Sequence, residues 1–253
     1  MSNPMLKEES VNEQSLRKKK LIAFSILIAG LAAGWLIFNQ IQNQPEVAGT
    51  PKTLRSVLGF NEKVFSSLYD SSKLVKEYPI SAAEKNVRVN GHDGLKDSVS
   101  EQSWRLKVVR MVGDTLSVSL DDIRKLPKKD IVFDFKCIEG WSQVTHWAGV
   151  PLKTFLEYYH LESQSQMKYV GLQTPDKGYY VGIDMPSALQ RQTLLCYEMN
   201  GKPLPINQGY PLRLIIPVKY GIKHLKRIGT MYFSNQKPPD FWAERGYDYF
   251  AGH

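Results

Sequence analysis

The most restrictive feature of this 253-residue chain is an uninterrupted apolar run near its start. "LIAFSILIAGLAAGWLIF", Leu21 to Phe38, holds one serine and no charge. As a helix, about 18 residues rise about 27 Å, close to the hydrocarbon thickness of a bilayer. A core helix of a water-soluble domain would show a polar face, and this run has none. "RKKK", Arg17 to Lys20, precedes it and the uncharged "NQIQNQ" follows. Positive flanks stay in the cytoplasm. The reading is therefore a single-pass anchor in the cytoplasmic membrane: a cytoplasmic tail at 1–20, the span at 21–38, a polar linker at 39–56, and a domain at 57–253 on the periplasmic, extracytoplasmic side. A cleaved signal peptide competes with this reading, but the run is long for one and no A-x-A pattern follows.

A domain of about 200 residues buries about 70% of its unfolded surface and needs no disulfide framework. Two cysteines agree with that. The formal net charge is +8. Its lysines and arginines are scattered, without an arginine-rich helix or zinc-finger spacing, so nucleic acid is set aside as a partner. A cationic pocket for an anionic cofactor or substrate is a better use for some of them.

Periodicity gives an α+β domain. A helix is expected over 60–75, then an extended segment through "RVNGHDGL". Strands are expected at 104–112 and 115–120, with a short helix opened by Asp121 and stopped by Pro127. In the strand Ile131 to Cys137, Ile131, Phe133, Phe135 and Cys137 share one face. A helix from Pro151 to His160 and strands at 167–173, 212–218 and 228–233 complete the pattern.

Cys137 closes its strand, follows Lys136 and opens into a turn at Gly140. Packing, a disulfide to Cys196, a thiol nucleophile and a soft metal ligand all remain open for it. Cys196, in "TLLCYEMNG", suits plain packing. P-loop and dinucleotide fingerprints are absent. So is C-x-x-C-H, and with it any c-type haem of the chain's own.

"CIEGWSQVTHWAGVPLKTFLE", Cys137 to Glu157, resembles the cysteine segment of the sulfite-oxidase-type molybdopterin-dependent oxidoreductases, on the branch that holds the periplasmic methionine sulfoxide reductases. "FNEKVF", "RVNGHDGL", "KYVGLQT", "YYVGIDM", "TLLCYEMNGKPLP", "GYPLRLIIPVKYGIKHLKRI" and "MYF" match in the same order. Together they span about residues 57–235.

The resemblance implies a sulfite-oxidase-type α+β fold and molybdenum bound by molybdopterin. By motif position, Cys137 would be the catalytic metal ligand. Asn61, Thr174, Gln208, Arg213, His224, Leu225 and Lys226 would contact the cofactor, with Arg213 and Lys226 on its phosphate. Gln208 stands where relatives place asparagine or histidine. Tyr179, Tyr180, Asp184 and His146 are candidates for the substrate side. Sulfite-oxidising members carry arginines shortly after the cysteine. Here Ile138, Glu139, Gly140, Trp141 and Ser142 follow, which turns the reading toward reduction of S-oxides or related small compounds. Oxidation of a small substrate such as sulfite and a non-catalytic anchored binding module are the alternatives. Catalysis would need an external electron partner, such as a membrane b-type cytochrome or a quinone-linked protein.

Overall fold

The computed structural model describes residues 13–69, 72, 74–89, 91–96 and 99–253. Residues 1–12 of the expected cytoplasmic tail, and Asn90 of "RVNGHDGL", lie outside these described residues. Helix α1 runs from Glu13 to Gln42 with no buried residue and is long and apolar enough to cross a membrane.

Residues 39–56, expected as a linker, hold regular structure over much of their length. After α1, strands β1 (Glu46–Val47) and β2 (Thr50–Pro51) pair as a small hairpin. Its turn residues, Ala48 and Gly49, both have positive φ, the geometry a two-residue hairpin turn demands. Helix α2 (Lys52–Leu68) follows directly. It begins and ends earlier than the apolar spacing suggested, and its start is tied to the chain before it: Lys52 N–H donates to Pro45 O at 3.1 Å.

The domain beyond is built from two sheets. Strands β3 (Leu106–Met111) and β4 (Asp114–Val118) form a hairpin. Helix α3 (Leu120–Arg124) is capped by Ser119, whose Oγ accepts from Asp122 N–H. The expected cap, Asp121, instead lies inside the first turn. Strand β5 (Lys129–Lys136) leads to Cys137, and β6 (Ser142–Pro151) returns alongside it. Helices α4 (Leu152–Tyr158) and α5 (Glu162–Ser165), strands β7 (Tyr169–Gln173) and β8 (Tyr180–Asp184), and helix α6 (Met185–Ala188) come next. Strands β9 (Leu194–Met199), β10 (Lys202–Pro203), β11 (Arg213–Ile215) and β12 (Thr230–Ser234) complete the set.

One sheet has the order β10-β9-β6-β5, with β11 also on β9, and is antiparallel throughout. The other is β4-β3-β12-β7-β8, where only β3 and β12 run parallel. Alternation along the first sheet makes two cores. Leu195, Tyr197 and Leu214 join the larger core with the second sheet. Leu194, Cys196 and Ile215 face the other way, onto Ile131, Phe133, Phe135 and Trp147. The face expected for Ile131, Phe133 and Phe135 is thus a real core surface, and Cys137 sits at its end, 3% exposed.

Candidate active site

Cys137 stands where β5 ends. Its N–H donates to Trp141 O at 2.9 Å, and its carbonyl accepts from Gly140 N–H at 3.1 Å. Gly140 has φ +86°, which closes this turn with a residue that bears no Cβ. Neither cysteine is in a disulfide, so the bridge from Cys137 to Cys196 is absent. Cys196 lies in the sheet, and burial pushes its thiol up to about 12. It packs as an inert hydrophobe.

Around Cys137 opens a cleft with about 660 Å³ of space, part of it continuous with solvent. His224 and Lys226 reach it from the segment after a short 3₁₀ turn at 221–223. Asp93 comes from the segment before β3, and Trp242 and Tyr247 from the C-terminal segment. Tyr179 lines it as well, with its hydroxyl donating to Ile222 O at 2.6 Å. Burial raises the Tyr179 phenol well above its ordinary value, so it stays protonated.

His224 is locked rather than reactive. Its Nδ1 accepts from Ile216 N–H at 3.4 Å, which leaves Nε2 as the donor to Lys219 O at 3.1 Å. Its ring lies 4.7 Å from that of Phe135. Burial, then the Arg213 charge, push its pKa down to about 3, so the ring is neutral. Lys226 donates to Gly91 O at 3.0 Å. Burial, and then Arg213, push its ammonium down to about 7.

Arg213 is the most telling group. It is 1% exposed on β11, and burial pushes it down to about 10. Nη1 donates to Gln208 O and Oε1 at 3.0 and 2.8 Å, while Nε has no partner among the described residues. The guanidinium lies 4.5 Å from the Trp147 ring centre. Gln208 in turn points Nε2 at the carbonyls of Val87 and Arg88, at 3.4 and 3.3 Å. Gly209, φ +101°, brings this segment against the next one: a Cβ there would sit 2.9 Å from Arg227 N and Lys226 Cα. Arg213 and Lys226 are therefore both buried cations, and the Arg213 charge lowers the proton affinity of Lys226. A buried cation needs an anion or full hydrogen bonding. The open Nε and the paired positive charges fit a phosphate-bearing group, with Cys137 able to offer a thiolate nearby.

The other expected residues fall elsewhere. Leu225 is fully buried in the larger core, and its carbonyl accepts from Leu214 N–H. Thr174 closes the β7–β8 turn through Asp176 and the Tyr179 backbone. Asn61 is exposed on α2 and does not line the cleft. His146 pairs with Asp130 at 2.7 Å on the sheet. Tyr180 binds Glu244, and Asp184 pairs with Lys219 and caps α6 through Ser187 N–H. Neither reaches the cleft, because both are taken by structural partners. Trp242, Tyr247 and Asp93 were not foreseen. The first two lie about a hundred residues beyond the cysteine with no local pattern to mark them, whereas Asp93 lies inside the matched "RVNGHDGL".

Two sheets, a strand-end cysteine and a buried cation cradle are the features of a molybdopterin-binding oxidoreductase. The family described as "Oxidoreductase molybdopterin binding domain" matches residues 92–242, and the chain belongs to it. It is an enzyme of the sulfite oxidase family. A protein of Azospira oryzae, provisionally named protein-methionine-sulfoxide reductase subunit YedZ1, is 37% identical over 195 residues, 76% of this chain and 73% of its own length. The protein-methionine-sulfoxide reductase catalytic subunit MsrP of Campylobacter jejuni is 30% identical over 174 residues, 62% of this chain and 59% of its own. The chain thus spans about three fifths of that relative. The sulfane dehydrogenase SoxCD of Paracoccus pantotrophus shares the fold: TM-score 0.50 and 19% identity, over 56% of this chain and 40% of that one.

Proposed function

We propose that this chain is a membrane-anchored oxidoreductase that reduces sulfoxides by two-electron oxygen-atom transfer on the outer side of the cytoplasmic membrane. Its anchor would be residues 21–38 and its catalytic domain residues 57–253. The observation that carries the substrate class is the lining of the cleft. Asp93 and Glu139 set carboxylates there, while Ile138, Tyr179, Trp242 and Tyr247 give it apolar and aromatic walls. A sulfite dianion would meet these two like charges, while Lys226, the cation in the same lining, would be taken by the cofactor phosphate. A neutral sulfoxide on an apolar side chain would meet rings that accept its bulk. The names of the two relatives point the same way.

A bound molybdenum–molybdopterin cofactor would supply the two-electron redox centre. The chain's own part is to hold and orient it. Cys137 offers the metal a soft sulfur. Arg213 can grip a phosphate through its open Nε, with Lys226 beside it as a point charge. Tyr179, committed to Ile222 O, shapes the wall and does not supply a proton. The electrons would come from an external donor, for which a membrane b-type cytochrome or a quinone-linked protein is the natural kind.

The test is metal and pterin analysis of the full chain from a host that makes the cofactor, followed by turnover with an artificial electron donor. Molybdenum stoichiometric with the chain, and sulfoxide reduction that Cys137→Ser takes to background, are expected. Sulfite oxidation outrunning sulfoxide reduction would overturn the substrate class. Full turnover without molybdenum would overturn the redox reading in favour of thiol chemistry at Cys137. A fully loaded chain inert toward both substrates would leave only a binding module.

A further inference from the structure

Helix α2 carries an apolar stripe with nothing buried beneath it. None of its 17 residues is buried. Leu54, Val57, Phe60, Phe65 and Leu68 are 41%, 51%, 64%, 60% and 72% exposed. At about 100° per residue, Leu54, Val57, Leu58, Val64, Phe65 and Leu68 fall within an arc of about 120°, with Asn61 as the one polar residue inside it and Phe60 about 40° beyond it. Lys52, Arg55 and Lys63 lie on the opposite side. A stripe of this size facing water marks a binding surface.

Its place in the chain says what covers it. The apolar run of α1 ends at Phe38. The first turn of α2 is tied to residues only six to ten positions further on. Thr53 N–H donates to Gln44 Oε1 at 2.9 Å, and Lys52 N–H to Pro45 O at 3.1 Å. Arg55 donates to Val47 O and Ala48 O at 3.3 and 2.5 Å. At about 1.5 Å per helical residue, Gln44 lies about 9 Å past the last apolar residue. The polar zone of a bilayer leaflet is about 5–8 Å thick. The start of α2 is therefore held at the outer edge of the lipid headgroup zone.

We infer that α2 lies in the membrane interface, its apolar stripe on the acyl-chain boundary and its lysine and arginine face toward the lipid phosphates. This rests on the reading of α1 as a membrane anchor. An amphipathic helix with a basic polar face suits that boundary.

The experiment uses the full chain in phospholipid vesicles that contain doxyl-labelled lipid. An environment-sensitive fluorophore is placed on one introduced cysteine at a time: Leu27→Cys inside α1, Val57→Cys and Leu68→Cys on the stripe, and Lys63→Cys opposite. Cys137 and Cys196 are buried, and unsubstituted protein gives their background. Quenching at Val57 and Leu68 several-fold above that at Lys63 is expected, with Leu27 quenched as well. A second change, Val57→Asp, should lower quenching at Leu68 and leave Leu27 unchanged. Quenching at Leu27 alone would overturn the inference and leave the anchor standing; the stripe would then belong to a protein surface such as the groove that Phe65 and Leu68 share with Val218 and Phe250. No quenching at Leu27 would overturn the anchor and the inference together.

Discussion

The domain buries two sets of cations, and it treats them differently. Lys219 and Lys223 are each 1% exposed, as deep as Arg213. Each meets a carboxylate. Lys219 Nζ lies 2.6 Å from Asp184 Oδ1, off the hydrogen-bond axis, and 3.0 Å from the Phe250 ring centre. Lys223 pairs with Asp240, also donates to Gly182 O, and lies 4.5 Å from the Tyr249 ring centre. Arg213 has Gln208 and a tryptophan face instead, and no carboxylate among the described residues. The first set has its counter-charges in place and fastens the C-terminal segment to β8. The second set is incomplete by one anion. Burying a cation costs several kcal/mol either way, so the difference separates a paired structural site from one that still has room for an anion, as the proposed function requires.

The strongest test of that contrast is Asp240→Ala. It would strand Lys223 in the core and also remove the acceptor for Gly182 and Ala243 N–H. A loss of about 3–5 kcal/mol in urea unfolding is expected, part of it regained in the double variant with Lys223→Met. No loss would mean that this pair is not structural.

Arg213→Met should do the opposite. In cofactor-free protein it should leave stability within about 1 kcal/mol of the parent or raise it, because it removes an uncompensated buried charge. Pterin retention should fall about 10- to 100-fold, the worth of a charge-assisted phosphate contact. If Arg213→Met destabilises the empty protein as much as Asp240→Ala does, the two cation sites are alike and the contrast collapses.

The smallest effect is a pH slope. Lys226 has a folded pKa pushed down to about 7, below its ordinary unfolded value near 10.4. Between those values the unfolded chain binds more protons, so stability of the cofactor-free protein rises with pH from about 7 to 10. Lys226→Met should reduce this slope by at most about 1.4 kcal/mol per pH unit. A bound anion restores the proton, so loaded protein should show less of the rise. An unchanged slope in Lys226→Met would remove the buried-cation reading of that lysine.

Much of this molecule was legible from its residues, and the reasons differ from place to place. The period-two spacing of Ile131, Phe133 and Phe135 reads directly as a sheet face, since one face of β5 packs on a core. Cys137 was legible as a strand-end residue because Gly140 follows. The ten-residue β6 was not. Trp147 and Val150 are buried on opposite faces, so its spacing shows no clean alternation. Gly149 reads as a turn signal yet sits mid-strand, where a Cβ would fall 2.1 Å from Leu195 O. Ser119 outcompeted Asp121 as the cap because its short side chain sits one residue before the helix, while Asp121 is already inside it. Arg213 and Lys226 were named by motif position, whereas the lack of a carboxylate beside Arg213 among the described residues could be learned only from three dimensions. Lys219 and Lys223 gave no sign of burial at all. Lysines are read as solvent-facing, and their partners Asp184 and Asp240 are 35 and 17 residues away.

The turn that presents Cys137 has one more consequence. Its backbone is fastened at both ends, Cys137 to Trp141 and Gly140 to Cys137, while the side chains of Ile138 and Glu139 carry none of those bonds. Both face the cleft, but the Glu139 carboxylate accepts from Trp141 Nε1 at 2.8 Å, so Ile138 is the one whose replacement would leave the bonds of the clip untouched. On the proposed function, substrate preference can therefore drift at Ile138, by ordinary point mutation, without moving the sulfur beside it. A family built on such a clip can change what it reacts with while keeping how it reacts.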